Sequence, residues 1–247
     1  SATERVLDLA RDLIRILLEI HKRALKLIAE LVSKLLKIHE DVLKLSEELV
    51  EELLEIVKRG LPREDLLRAL KELLEKIEDV VRDIERRHRD LLREAEEVVE
   101  KLKREHEEVK ERIERAVKKL AEDGVDKDKL KELVDVLEEI LRLSKTTLEE
   151  LVKALRDVIR ASLEALKENL RILRKIIREL EGLEGVDEDT LRRVLERIRE
   201  EVERVKEKHR RLLEELKKLL EELRARSADL LEDIKRKVRE LEEKTRR

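Results

Sequence analysis

The apolar pattern of this chain repeats every 18 residues, and that period leaves room for little besides long helices. Residues 3–20, 21–38 and 39–56 read as three copies of one unit. Their central stripe runs Val6, Ala10, Leu13, Leu17, His21, Ala24, Ile28, Leu31, Leu35, His39, Val42, Ser46, Leu49, Leu53 and Val57. Its steps alternate between three and four residues, as one face of an α-helix requires. At 3.6 residues per turn the repeat closes after about five whole turns. A seven-residue repeat winds helices left-handed and an eleven-residue repeat winds them right-handed. The present period lies between the two, so little supercoiling is expected.

Helix breakers are scarce: four Gly and one Pro in 247 residues. Arg59-Gly60-Leu61-Pro62 reads as a glycine stop followed by a proline suited to a new first turn. Asp123-Gly124-Val125-Asp126 and Glu181-Gly182-Leu183-Glu184-Gly185-Val186-Asp187 each stop at glycine and restart at an aspartate cap. Thr3 is the corresponding cap at the start of the chain. Helices are therefore expected near 3–59, 63–122, 127–181 and 188–246. Each spans roughly 80–90 Å at 1.5 Å per residue. Loops this short force consecutive helices to run antiparallel. The expected fold is all-α: one up-down-up-down four-helix bundle forming a single domain over 1–247.

Composition narrows the class. Charged residues make up 51% of the chain and apolar ones 40%, the balance of long amphipathic helices. Phe, Tyr, Trp, Met and Cys are all absent, so there is no disulfide, no thiolate nucleophile and no cysteine metal ligand. The 61 basic and 64 acidic residues are interleaved, which argues against a nucleic-acid partner. No 18-residue apolar run suggests a membrane span, so a soluble, cytoplasmically expressed chain is expected.

Polar residues interrupt the apolar stripes at the same 18-residue period. They are His21 and His39 on the first helix, His88 and His106 on the second, Ser144 and Ser162 on the third, and His209 and Ser227 on the fourth. In antiparallel neighbours, facing indices move in opposite directions. The spacing therefore predicts two layers, His21/His106/Ser144/Ser227 and His39/His88/Ser162/His209, about 27 Å apart. The same register sets Ser46 level with Asn169, between Val81 and Val202, and predicts an apolar layer of Val57, Leu70, Leu180 and Leu191. Apolar positions cover an arc of about 200° on the first and third helices but only about 120–140° on the others. A rhombic section with the first and third helices on its short diagonal follows. The rival reading is a homodimer through an exposed stripe of Leu9, Ile16, Ile20, Leu27, Ile38, Leu45 and Ile56.

A buried His or Ser without a hydrogen bond costs about 1–3 kcal/mol. The layers are therefore expected to close as hydrogen-bond networks that fix register, as a buried Asn does in a coiled coil. Ser can instead bond its own i−4 carbonyl, leaving a His less satisfied. His39, His88 and His209 are the only candidate metal ligands, and no core-level carboxylate is present to orient them. Porphyrin ligation is disfavoured by the large residues that flank the layers: Leu17, Leu25, Leu102 and Leu212. Buried imidazoles prefer to stay neutral, so acid sensitivity is expected. No acidic partner completes a Ser–His triad and no phosphate loop occurs, so no enzyme activity and no cofactor are expected.

The 18-residue register, the capped loops (RGLPRED, EDGVDKD, EGVDED) and the layered His and Ser positions resemble parametrically designed helical bundles with buried hydrogen-bond networks. The resemblance covers the whole chain. It implies a structural scaffold, an assembly block or a switch component. The arcs themselves favour a monomer that requires no partner. A pH- or metal-responsive binding module built on the histidine layers is the alternative. The chain departs from many such bundles by preferring His and Ser to Asn and Gln.

Overall fold

The computed structural model describes residues 2–182 and 187–246, without the side chains of Thr3, Leu220, Ser227 and Thr245. The proposed Thr3 cap and the 183–186 part of the third loop thus lie outside the described residues. Four helices account for nearly everything else: α1 (Ala2–Lys58), α2 (Arg63–Glu122), α3 (Lys127–Glu181) and α4 (Glu188–Arg246). Each boundary falls within a residue or so of the one expected from the glycines and caps.

The loops work by the chemistry their residues suggested. Gly124 has a φ of +84°. Its N–H bonds the Ala121 carbonyl, and the Val125 N–H bonds the Leu120 carbonyl at 3.1 Å. This is a Schellman ending, and its two apolar partners, Leu120 and Val125, are both buried. Gly60 ends α1 with a φ of +61°. Helix starts are capped in turn: Asp187 Oδ1 accepts the Thr190 N–H at 2.7 Å, and Asp126 Oδ1 accepts the Asp128 N–H at 3.2 Å. Arg63, at the start of α2, donates to the Glu181 carbonyl at 2.7 Å and satisfies an acceptor at the end of α3. A Cβ at Gly124 would meet no atom within 4 Å, but an L-residue is strained at that φ. Gly124→Ala should therefore destabilise the protein by about 1 kcal/mol, read as a lower denaturant midpoint at an unchanged m-value.

The chain divides into two compact units, each built from part of every helix. The first comprises 1–31, 94–155 and 218–247; the second comprises 32–93 and 156–217. In the first unit Arg5 of α1 pairs with Asp123, the residue that follows α2. Arg11 pairs with Glu242 across α1 and α4, and Arg226 with Glu150 across α3 and α4. Lys237 also pairs with Glu139. As the α4 partner rises from 226 to 237, the α3 partner falls from 150 to 139, so these helices run antiparallel.

The second unit repeats the pattern. Lys76 meets Glu52 at 2.6 Å, Arg174 meets Glu78 at 3.2 Å, and Arg197 and Lys208 meet Glu179 and Glu168 at 2.7 Å. Here α1 and α3 also touch directly, with Ser46 Oγ 3.4 Å from Asn169 Oδ1. A direct contact between these two helices is what their wide apolar arcs implied. These surface pairs orient the helices; each contributes little energy.

Both cores are Leu, Ile, Val and Ala. Leu17, Ile28, Leu133, Leu137 and Leu148 are among the fully buried side chains of the first unit, and Leu35, Leu49, Leu53 and Leu66 of the second. Leu70 and Leu180 are buried in the expected apolar layer, whereas Val57 and Leu191 keep partial exposure. Of the stripe that suggested a homodimer, Ile20, Ile38, Leu45 and Ile56 are buried within the chain, and Leu9, Ile16 and Leu27 are half-buried. Among the described residues only Val80 and Leu231 stand out as exposed large apolar side chains.

Candidate site: the buried polar layers

The residues that interrupt the apolar stripes are buried. His39, His88, His209, Ser46, Ser162 and Asn169 are fully enclosed, and His21, His106 and Ser144 are no more than 4% exposed. Ser227 lies outside the described side chains. Helical spacing sends these groups inward because they occupy the positions that Leu and Val occupy one turn away.

Within the first unit the layer holds one complete hydrogen-bonded chain. His106 Nδ1–H donates to the Leu102 carbonyl at 2.7 Å, and Nε2 accepts from Ser144 Oγ–H at 3.1 Å. The backbone bond fixes the tautomer, since a carbonyl can only accept. His21 has no partner at either ring nitrogen among the described residues. The expectation of a closed four-member network is therefore corrected here. His106 turns its Nδ1–H back to its own helix, so it has no donor left for His21, and Ser144 spends its proton on His106.

The second unit splits its layer into two pairs, again correcting the single network. His88 repeats the His106 arrangement: Nδ1–H to the Ile84 carbonyl at 2.8 Å, and Nε2 accepting from Ser162 Oγ–H at 2.8 Å. His39 and His209 meet through their Nδ1 atoms at 3.2 Å. Their rings are edge to face, with centroids 5.3 Å apart and planes at 74°. Both Nε2 atoms lack a partner. Above this layer the Ser46 Oγ–H has two acceptors in reach, the Val42 carbonyl at 3.1 Å and Asn169 Oδ1 at 3.4 Å, and Asn169 Nδ2 has no partner among the described residues. Val81 and Val202, which the register sets at this height, are both buried.

Burial dominates the electrostatics. Desolvation, aided by the nearby His106, pushes the His21 pKa down to about 4. His39 falls to about 3, through desolvation first and then His209 and His88. His209 falls to about 4, through desolvation and then His88. His88 and His106 are lowered by desolvation too, against the pull of their Nδ1–H bonds to backbone carbonyls, which favour the charged form.

These layers offer hydrogen bonding and proton binding. His39, His88 and His209 share a level, but both His88 nitrogens are engaged, and among the described residues no three His, Asp or Glu side chains converge as a metal-ligand set. Two surface grooves of the second unit, between α2 and α3 and between α3 and α4, are lined by alternating Glu, Lys and Arg and contain no histidine. No described helix is long and apolar enough to cross a membrane. The residue that sequence reasoning undervalued is the histidine's own i−4 carbonyl. Its signal was present in the helical placement of His88 and His106, because every helical side chain leans toward the preceding turn. No family model matches the chain, and no curated protein matches it either.

Proposed function

We propose that this chain is a designed, soluble, monomeric scaffold without catalytic activity or cofactor, whose buried polar contacts select its register and topology. The supporting observation is that His106–Ser144, His88–Ser162, His39–His209 and Ser46–Asn169 each join two helices inside a core that is otherwise apolar. An all-Leu layer is indifferent to sliding by one turn. A hydroxyl that must meet an imidazole is not, because the shifted state strands both groups in hydrocarbon at a cost of about 1–3 kcal/mol each. The test is a variant with the five His changed to Leu and Ser144 and Ser162 changed to Ala. It should stay helical at pH 7 but give more than one associated species by light scattering. A single monomeric species with the parent's hydrogen-exchange pattern would remove register selection from the reading.

A proton-responsive module is the second reading, favoured because all five histidines are buried and held below their usual pKa. Metal response has no comparable support. Zinc titration followed by the histidine ring resonances at pH 7 should leave them unshifted, and a saturable shift of His39, His88 and His209 together would reverse that judgement.

A further inference from the structure

The second unit contains an arrangement that register selection alone does not require. His39 and His209 face one another Nδ1 to Nδ1 at 3.2 Å. Two lone pairs at that distance repel, and so do two N–H groups. One ring therefore carries a proton at Nδ1 and donates it, and the other accepts it there. The accepting neutral ring must then hold its own proton at Nε2, so the two histidines are opposite tautomers. The donor's Nε2 is left as a bare lone pair. Both Nε2 atoms are buried and unpartnered.

We propose that His39 and His209 form a proton-sharing pair that binds one additional proton as a unit. The added proton comes from solvent and forms an N–H bond at the donor ring's free Nε2. No bond breaks, and the Nδ1–H···Nδ1 bridge survives as a charge-assisted bond. In the neutral pair, moving the bridging proton would create an imidazolium beside an imidazolate, so the bridge is one-sided. In the cationic pair the same movement exchanges equivalent states, so both rings share the charge. A second added proton sets N–H against N–H and breaks the bridge.

The surroundings suit such a pair. The other titratable group acting on both rings is His88, on α2. The α3 helix contributes Ser162, which is bonded to His88. Among the described residues the charges acting on these two rings include no carboxylate, so the bridge is the strongest stabiliser a charge would find there. This inference deepens the proton-responsive reading at one pair of its histidines, and the tautomers at neutral pH test it whether or not that reading holds.

Nitrogen-15 NMR of the ring-labelled full chain tests it. At pH 7, His88 and His106 should both be Nδ1–H tautomers, which calibrates the measurement. One of His39 and His209 should be Nδ1–H and the other Nε2–H, with scalar coupling between the two Nδ1 nuclei. Matching tautomers in the pair, or no coupling, would overturn the proposal. A second arm uses His209→Leu. If the pair binds its first proton jointly, His39 alone should titrate lower than the pair by about half a pH unit or more, because the charge-assisted bond is gone. If the repulsion that His209 exerts on a protonated His39 outweighs that bond, His39 should titrate higher, and the proposal fails. Should His209→Leu not fold, the wild-type tautomers and coupling still decide.

Discussion

Lowering the pH from 7 to 4.5 should remove on the order of 8 kcal/mol of folding stability, before most carboxylates titrate. The sign follows from the direction of the shifts. The His21, His39 and His209 pKa values lie at about 4, 3 and 4 in the folded chain, against 6.5 for an unfolded histidine. Above pH 6.5 both states are neutral and stability is complete. Below it the unfolded chain binds protons that the folded chain refuses, at a cost of about 1.4 kcal/mol per pH unit for each histidine. Three histidines over two units give the figure, and His88 and His106 act in the same direction. The loss continues until the folded rings themselves titrate, near pH 3–4. Since whole domains are stable by only about 5–15 kcal/mol, the effect is large. Guanidinium midpoints at pH 7.0 and 4.5 check it, and equal midpoints would mean that the rings are not held neutral by burial.

His21→Leu should stabilise the protein at pH 7 by about 2–4 kcal/mol, an unusual sign for a core substitution. Neither His21 nitrogen has a partner among the described residues, and the side chain is only 4% exposed. Replacement by an apolar group of similar volume removes two unmet hydrogen-bonding demands and breaks no bond. The same change at His88 removes two bonds that are made and takes the acceptor from Ser162. That loss offsets the apolar gain, so His88→Leu should lie within about 1 kcal/mol of the parent. Denaturant unfolding of the two variants ranks them, and a destabilised His21→Leu would show that the ring has a partner after all. His21→Leu should also flatten the acid response by one histidine's share, which ties the two predictions together.

Much of this architecture was legible because it is set by local or additive rules. Glycine at positive φ and aspartate at a helix start act on their immediate neighbours, so Gly60, Gly124, Asp126 and Asp187 marked the helix ends in advance. Burial follows the 18-residue stripe, so His21, His39, His88, His106 and His209 were found inside. Register follows from placing polar groups level with one another, and the Ser162–His88 and Ser46–Asn169 contacts match it. The wide arc on α1 spoke equally for a diagonal contact and for a dimer, because an arc says how much surface must be covered and not by what.

The sequence by itself determined the helices, their antiparallel order and the heights of the buried polar groups, since periodicity and chain stops need no knowledge of partners. Only the tertiary structure decided who bonds to whom. At one height several donors and acceptors compete, and a ring's rotation settles the outcome. His88 and His106 turned Nδ1 to their own backbone, His39 and His209 turned to each other, and His21 was left without a partner among the described residues. A hydrogen bond needs angles and distances that spacing along a helix does not carry.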